Sequence, residues 1–324
     1  MPSPIICLGP VNVELHYCVP DLTPFLEKWP DLHPGGEVAV PPEAEAGLQD
    51  RLHRHATPAG RAAGGRAANT AWALARMGLD AALAGRMGED EDGAFLKESL
   101  AGVNLDYLMQ AGQSGRTYIL ADPEGARAIL TAPHTNDELS LQDLPLEALA
   151  AAKFLYFTAF AGEGPLKAQG GIAARLQDGP RIILDLGELY VRRGLPALEG
   201  IIDHLDTLLV TEREWELLGG PPKSHPLWAP PVVVIKRGPR GARLLTPPRY
   251  LDFPVELTPR PVDILAAADA FAAGYLAGRF LGLHLNLAVR LANRAAAWSL
   301  GGAGREDYPD AKFLERQVDQ LRQI

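Results

Sequence analysis

The sequence predicts an α/β fold, built on a central, mostly parallel β-sheet with helices on both faces. Short apolar runs alternate along the chain with longer helical stretches, which is the pattern that parallel sheets require. The runs lie at residues 4–8, 154–157, 182–185, 207–210 and 232–236. Two further strands, within 116–132, flank Asp122-Pro123-Glu124-Gly125, whose residue types favour a tight turn. These residues therefore predict a β-hairpin.

Length alone allows two domains, but α/β folds of 324 residues are often single, so we expect one domain over residues 1–324. The composition, with 47% hydrophobic and 22% charged residues, is typical of a globular protein with a large core. The net charge of −9 argues against nucleic acid as the main partner. The two cysteines, Cys7 and Cys18, exclude a disulfide framework and a cysteine-based zinc site. No apolar run reaches transmembrane length, and the N-terminus lacks the charged segment of a signal peptide. We therefore expect a cytoplasmic protein with no membrane partner.

The first strand is followed by two polar residues with alternating spacing, Asn12 and Glu14. Alternation places both on one face, at a strand end, where α/β sheets bind ligands. Two solvated residues on an edge strand are the alternative.

Residues 16–60 have weak periodicity and are rich in Pro, Gly, His and charge. Within them, 37–40 is a candidate strand, and we expect His53, Arg54 and His55 to be solvated rather than to bind a metal.

A glycine pair and an alanine-rich helix follow. Gly64 and Gly65 allow the backbone to approach a ligand closely. We expect Asn69 to open a helix over 70–77 that Gly78 ends. As a helix start alone, this pattern is ordinary.

A second apolar helix is predicted from about Ala266 to Leu281, ended by Gly282. Gly274 and Gly278 give it a small-residue face for close packing. The amides of Ala266, Ala267, Ala268 and Asp269 lack intrahelical partners and form an anion site. An acid beside such a site suits phosphoryl transfer, and we expect Asp269 to be ionised there. An aspartate that only caps a core helix is the alternative.

Together, these stretches resemble the ribokinase-like (PfkB) sugar-kinase family. Its signature G-G-x-x-x-N is matched at Gly64, Gly65 and Asn69, and is followed by G-x-x-G-x-D-x-x-G at 85–93. Its C-terminal signature, D-T-x-[GA]-A-G-D-x-F, is matched at 263–271, with Ile264 in place of Thr and Ala268 in place of Gly.

The resemblance implies a ribokinase-like three-layer α/β/α domain whose small β lid comes from parts of 14–60 and 114–132. It implies that Asp269 is the catalytic base and that Asp263 lies near the metal. The family motif G-x-x-N-x-D, here with Glu14 for Asp, implies that Asn12 and Glu14 hold sugar hydroxyls. Such a kinase uses ATP and Mg²⁺, with a monovalent cation as a further candidate, and frequently dimerises through the lid.

The nucleotide side is implied by three more motifs. Thr211 and Glu214 match N-x-x-E, in which the Glu organises magnesium, although Thr replaces Asn. Gly238 and Gly241 match the nucleotide loop T-x-G-x-x-G-A, where Lys236 replaces a small residue and is expected to reach a phosphate. Asn293 lies on the helix that resembles the lining of the adenine pocket.

Other enzyme classes lack their motifs in this chain. There is no P-loop G-x-x-x-x-G-K-[ST], no dinucleotide G-x-G-x-x-G after the first strand and no G-x-S-x-G elbow. The alternatives left open are a ribokinase-like protein that binds sugar or nucleotide but transfers phosphate poorly, and a nucleoside kinase of the same fold. A phosphosugar or sugar-acid substrate would need an added cation, for which Arg66 and Arg116 are the candidates.

Overall fold

The computed structural model describes residues 3–219, 232–246, 249–256, 267–302, 304–305 and 307–323. The strands are β1 (Ile5–Leu8), β2 (Asn12–Cys18), β3 (Glu37–Ala39), β4 (Thr57–Gly64), β5 (Ala81–Met87), β6 (Asn104–Gln110), β7 (Gly115–Ala121), β8 (Arg127–Ala132), β9 (Phe154–Thr158), β10 (Arg181–Asp185), β11 (Thr207–Thr211), β12 (Val232–Lys236), β13 (Ala242–Thr246) and β14 (Arg249–Phe253). The helices are α1 (Thr23–Leu26), α2 (Pro42–His55), α3 (Arg66–Arg76), α4 (Glu91–Ser99), α5 (Leu146–Ala151), α6 (Glu163–Arg175), α7 (Gly187–Val191), α8 (Leu195–Ile202), α9 (Glu212–Leu217), α10 (Ala267–Phe280), α11 (Leu285–Ser299) and α12 (Ala311–Arg322).

The main sheet, over the described residues, has nine strands in the order β14-β13-β12-β11-β10-β9-β1-β5-β6. The seven strands from β12 to β6 in this order are parallel to one another. At the β12 edge, β13 and then β14 are added antiparallel. The predicted mostly parallel sheet is confirmed. Because the parallel strands end at one edge, Asp185 and Lys236 meet there.

Each central strand is apolar on both sides, as strands buried between two helical layers must be. Ile5 and Tyr156 pack into the core that includes α3, α10 and α11. Their chain neighbours Ile6 and Leu155 pack into the opposite core with α6 and α8. Alternation along the strands therefore divides the interior into two layers.

The lid is a five-stranded sheet in the order β3-β8-β7-β2-β4, counted over the described residues. The smaller second sheet is confirmed, and its hairpin turns at Gly125, where φ is +86°. Asn12 and Glu14 lie on this lid, in β2, rather than at the end of a central strand.

The long segment 16–60 is more ordered than its composition indicates. It contains α2, whose Leu48 and Leu52 pack with Phe25 against Tyr118 of the lid. One apolar face of the lid is therefore covered by helices of the chain itself. The end of α2, with His53, Arg54 and His55, is exposed as expected.

The apolar helix is confirmed as α10. Gly282 follows it with φ +78°, and the amide of Leu283 donates to the carbonyl of Gly278 at 2.9 Å. A Cβ on Gly274 would lie 2.7 Å from Ala295 Cβ, so the glycine face lets α10 and α11 pack closely. Within the described part of the chain, no helix is both long and apolar enough to cross a membrane.

Candidate active site

Asp269 lies in the first turn of α10 and is 6% exposed. Its Oδ2 accepts a hydrogen bond of 2.9 Å from Asn69 Nδ2, across 200 residues of sequence. Burial raises the pKa of the Asp269 carboxyl to about 7, and the hydrogen bond from Asn69 and the charge of Arg66 oppose this shift only in part. The sequence predicts an ionised Asp269 at neutral pH, and burial works against this prediction.

Two other residues of the C-terminal signature, Ala267 and Ala268, open α10 as described. Ala266 and Asp263 lie outside the described residues. The anion site built from these amides, and the placement of Asp263 near a metal, remain predictions.

Helix α3 begins at Arg66, four residues earlier than the sequence predicts. Gly65 stands at its N-cap with φ +96°, and a Cβ there would lie 2.3 Å from the carbonyl oxygen of Pro10. Asn69 therefore lies inside the first turn, where its side chain is directed at Asp269 instead of capping the helix.

Gly64 serves a different purpose. A Cβ on Gly64 would lie 1.8 Å from Glu14 Oε1, so the Glu14 carboxylate occupies the space that a side chain at position 64 would fill. The amide of Gly65 donates to the same oxygen at 3.3 Å. The glycine pair thus places the Glu14 carboxylate beside α3.

Asn12 is 4% exposed, and its side chain is part of a buried network. Its Nδ2 donates to Thr117 Oγ1 at 3.0 Å, and its Oδ1 accepts from Asn136 Nδ2 at 2.8 Å. Asn136 also bonds the backbone of Val11 in both directions. No motif indicated Asn136, and its partners are 124 and 125 residues away.

Arg66 lies at the centre of a group of carboxylates. Its Nη1 is 3.7 Å from Asp185 Oδ1 and 3.9 Å from Glu214 Oε1. Burial alone would lower the pKa of Arg66. Nearby carboxylates outweigh this effect and raise the pKa above its ordinary value; they belong to Glu214, Asp185, Glu37 and Asp269. Arg66 is therefore a charge-matched cation between the lid and the strand ends.

Lys236 ends β12 and is almost fully buried. Its Nζ lies 2.8 Å from both carboxylate oxygens of Asp185, which is itself fully buried. Tyr156 also donates to Asp185, at 3.2 Å. Lys236 was expected to reach a phosphate, and Asp185 competes with a phosphate for the same ammonium group. Sequence reasoning did not single out Asp185.

Thr211 and Glu214 form a capping box at the start of α9. The Glu214 carboxylate accepts from the amide of Thr211 at 2.7 Å, and the Thr211 hydroxyl accepts from the amide of Glu214 at 3.2 Å. Replacing the family's Asn by Thr therefore keeps the cap.

The turn after β12 contains two glycines, Gly238 and Gly241, that lie in different surroundings. Gly241 has φ +82°, and a Cβ there would lie 2.0 Å from the carbonyl oxygen of Phe253. Gly238 has φ +56° and open space where a side chain would lie. Asn293 donates to the same Phe253 carbonyl at 2.9 Å. Gly241 and Asn293 thus both lie against the Phe253 carbonyl at the end of β14, whereas the nucleotide role of the turn stays a prediction.

Metal binding has a limited donor set. Among the described residues, no group of three or more His, Cys, Asp or Glu side chains has a metal-binding arrangement. A kinase needs fewer, since Mg²⁺ usually keeps waters and binds one or two carboxylates together with substrate phosphates. Glu214 is the carboxylate predicted for this role, and in the structure its Oε1 lies 3.9 Å from Arg66 Nη1 while its Oε2 accepts from the amide of Thr211.

Comparison with known proteins agrees with this architecture. Residues 39–310 match the model of the family described as "pfkB family carbohydrate kinase". An uncharacterized sugar kinase of Archaeoglobus fulgidus is 28% identical over 261 residues, which cover 76% of this chain and 99% of that protein. An ATP-dependent ribose-1-phosphate kinase of Halopiger xanaduensis is 27% identical over 295 residues, covering 86% and 93% of the two chains.

The fold has a solved counterpart as well. The crystal structure of adenosine kinase from Sinorhizobium meliloti superposes with a TM-score of 0.84 over 98% of this chain and 100% of that chain, at 20% identity. The ribokinase-like fold expected from the sequence is thus confirmed. Because the family model matches residues 39–310, which are most of the chain and include Asn69 and Asp269, the chain belongs to the pfkB family of carbohydrate kinases.

Proposed function

We propose that this kinase transfers the terminal phosphoryl group of ATP to a hydroxyl of a sugar, with Asp269 as the general base. The observation that carries the assignment is the hydrogen bond from Asn69 to Asp269, since it joins the two family signatures at one buried carboxyl. A base with a pKa of about 7 is suited to proton transfer near neutral pH.

In the proposed reaction, the acceptor hydroxyl lies between Glu14 and Asn69 on one side and Asp269 on the other. Its oxygen forms a bond to the γ-phosphorus of ATP, the bond to the bridging oxygen breaks, and ADP leaves. Asp269 takes the hydroxyl proton, which can move late in a loose transition state.

Positive charge near the transferred group comes from Arg66, whose guanidinium interacts with Asp269. The amides of Ala266, Ala267 and Ala268 are proposed to hold the developing charge of the phosphoryl group. Asn12 has a supporting part, because its amide already binds Thr117 and Asn136 and fixes β2.

ATP is proposed to bind along Gly238 and Gly241, with Asn293 and Thr211 at the edges of its pocket. Lys236 contributes by holding Asp185 and, with it, Arg66. When bound, Mg²⁺ would neutralise phosphate charge, and Glu214 and Asp263 are the residues proposed to hold it. A monovalent cation remains a further proposed cofactor.

A coupled ADP-release assay over a panel of sugars, phosphosugars, sugar acids and nucleosides tests this function. We expect turnover with a sugar, and no turnover in the absence of acceptor. The names of the Halopiger relative and of the solved adenosine kinase make ribose 1-phosphate and adenosine the first compounds to include, with ribose as the unphosphorylated counterpart. ATP and sugar binding without ADP release would instead identify a ribokinase-like binding protein.

A homodimer and a cytoplasmic location belong to the same proposal. The apolar face of the lid is covered by α1 and α2, so the proposed dimer would use the lid edge at β4, where residues 57–61 are exposed. A monomer in light scattering at micromolar concentration would remove the dimer.

A further inference from the structure

Arg305 lies between α11 and α12, in none of the motifs found in the sequence. Its guanidinium carbon is 4.9 Å from the centre of the Trp72 ring, which belongs to α3 one turn after Asn69. Arg305 also interacts electrostatically with the carboxylates of Glu14 and Asp269. A third segment of the chain thus brings a cation to the acceptor side of the site.

The guanidinium is incompletely bonded. Its Nη1 is buried and has no hydrogen-bond partner among the described residues. Burial lowers the pKa of Arg305, and the nearby carboxylates restore it only in part. A buried donor without a partner is costly, so an arrangement of this kind points to a group that arrives with a ligand.

An acceptor atom beside the same aspartate is also unused. Asn69 Oδ1 is buried and, within the described part of the chain, makes no hydrogen bond. Arginine can only donate, whereas a carboxylate or an amide oxygen accepts. The surroundings of Asp269 therefore offer one donor and two acceptors, Asn69 Oδ1 and the Glu14 carboxylate, which is the complement of adjacent hydroxyl groups.

We propose that Arg305 is an acceptor-binding residue, that its Nη1 donates to a hydroxyl oxygen of the substrate, and that this substrate is a neutral sugar. The proposal rests on the proposed function, because it assumes that the acceptor is phosphorylated beside Asp269.

The charges around the acceptor site favour a neutral sugar over a phosphosugar or a sugar acid. Arg305 faces Glu14 and Asp269, and Arg66 faces Asp185 and Glu214 among others. Neither arginine has a surplus of positive charge for an anionic substituent.

Arg116, the other cation considered for a phosphosugar, is also engaged, since its Nε lies 2.8 Å from Asp92 Oδ2. Each of the three arginines considered, Arg66, Arg116 and Arg305, thus already has a carboxylate neighbour, which disfavours a phosphate or carboxylate on the acceptor.

The test compares Arg305→Gln and Arg305→Lys with Arg76→Gln. Arg76 stacks on the same Trp72 ring, with its guanidinium carbon 5.1 Å from the centre, so it controls for the loss of stacking. Steady-state KM values for sugar and for ATP are measured with the best acceptor of the panel, and melting temperatures are measured in parallel.

We expect Arg305→Gln to raise the KM for the sugar about ten- to a hundredfold, the effect of losing a hydrogen bond to a charged group. The KM for ATP should change by less than about threefold, since uniform binding of the sugar alone is lost. Arg305→Lys should fall between wild type and Arg305→Gln, and Arg76→Gln should match wild type in both KM values.

Three results separate the possible failures. A wild-type protein that releases no ADP with any acceptor contradicts the proposed function. An active wild type whose sugar KM is unchanged in Arg305→Gln contradicts the role of Arg305 alone. A preference for phosphosugars or sugar acids over neutral sugars contradicts the neutral class. If Arg305→Gln does not fold, an unchanged sugar KM in Arg305→Lys also overturns the assignment.

Discussion

Lys236 Nζ lies 2.8 Å from each carboxylate oxygen of Asp185, in the interior of the protein at the edge where the parallel strands end. Such a pair is costly to desolvate but more costly to break, because removing one partner leaves the other charge buried. The pair also fixes Asp185 next to Arg66, 3.7 Å away. The interaction therefore organises the site as well as the sheet.

Lys236→Met should lower the free energy of unfolding by roughly 3 kcal/mol, since Asp185 stays buried and keeps only the Tyr156 hydroxyl and the more distant Arg66 as partners. The double variant Lys236→Met, Asp185→Leu should be less destabilised than Lys236→Met alone. Urea denaturation measures both. Lys167→Met, which removes an exposed ion pair with Glu163, is the control and should cost less than about 1 kcal/mol. A Lys236→Met protein as stable as this control would contradict the structural role of the pair.

Gly64→Ala should impair sugar binding. A Cβ at this position would lie 1.8 Å from Glu14 Oε1, so the carboxylate must move away from the acceptor site. We expect the KM for the sugar to rise at least about tenfold, with the KM for ATP little changed. Gly60→Ala, on the same strand but with open space around the added methyl group, should behave as wild type. Equal sugar KM values for the two variants would show that Glu14 does not bind the acceptor.

The pH dependence of kcat/KM should follow the ionisation of Asp269. The pKa of this carboxyl is raised to about 7, and only the ionised form can accept a proton. Activity should therefore rise with pH through about 7 and level off above it, measured at saturating ATP and Mg²⁺. A profile that is flat from pH 5.5 to pH 8 would contradict the raised pKa.

The same pKa shift has a consequence for stability. A carboxyl whose pKa is raised on folding binds more protons in the native state, so its contribution to stability falls as pH rises from about 4 to about 7. Asp269→Asn removes the charge that burial disfavours. Its free energy of unfolding relative to wild type should thus be higher at pH 8 than at pH 5, by an amount on the order of a few kcal/mol. No change in this difference between the two pH values would contradict the linkage.

The sequence predicted the parts of the fold that depend on short-range pattern. The apolar run 232–236 is β12 itself, and Gly282 ends α10 because only the local backbone decides that turn. Helix α2 was not foreseen, because its apolar positions are few and charged residues surround them. Helix α3 starts early because Gly65 meets Pro10, a contact that the sequence does not indicate.

The site residues show the same difference between short-range pattern and long-range contact. Asn69 and Asp269 were found by motif, and the structure joins them. Three residues were missed because their roles depend on partners in other elements of the fold, far away in the sequence: Asp185, Asn136 and Arg305. The raised pKa of Asp269 was not foreseen for a related reason: the depth of the surrounding core, which sets its pKa, is a property of the whole fold.

The rate of Asp269→Asn tests the central claim most directly. The substitution keeps the shape of the side chain and its acceptor oxygen for Asn69, but removes the base. Turnover should fall about a hundredfold to ten-thousandfold, while sugar and ATP dissociation constants, measured by calorimetry, stay within a few-fold of wild type. An Asp269→Asn protein that keeps most of the wild-type kinase rate would contradict the account.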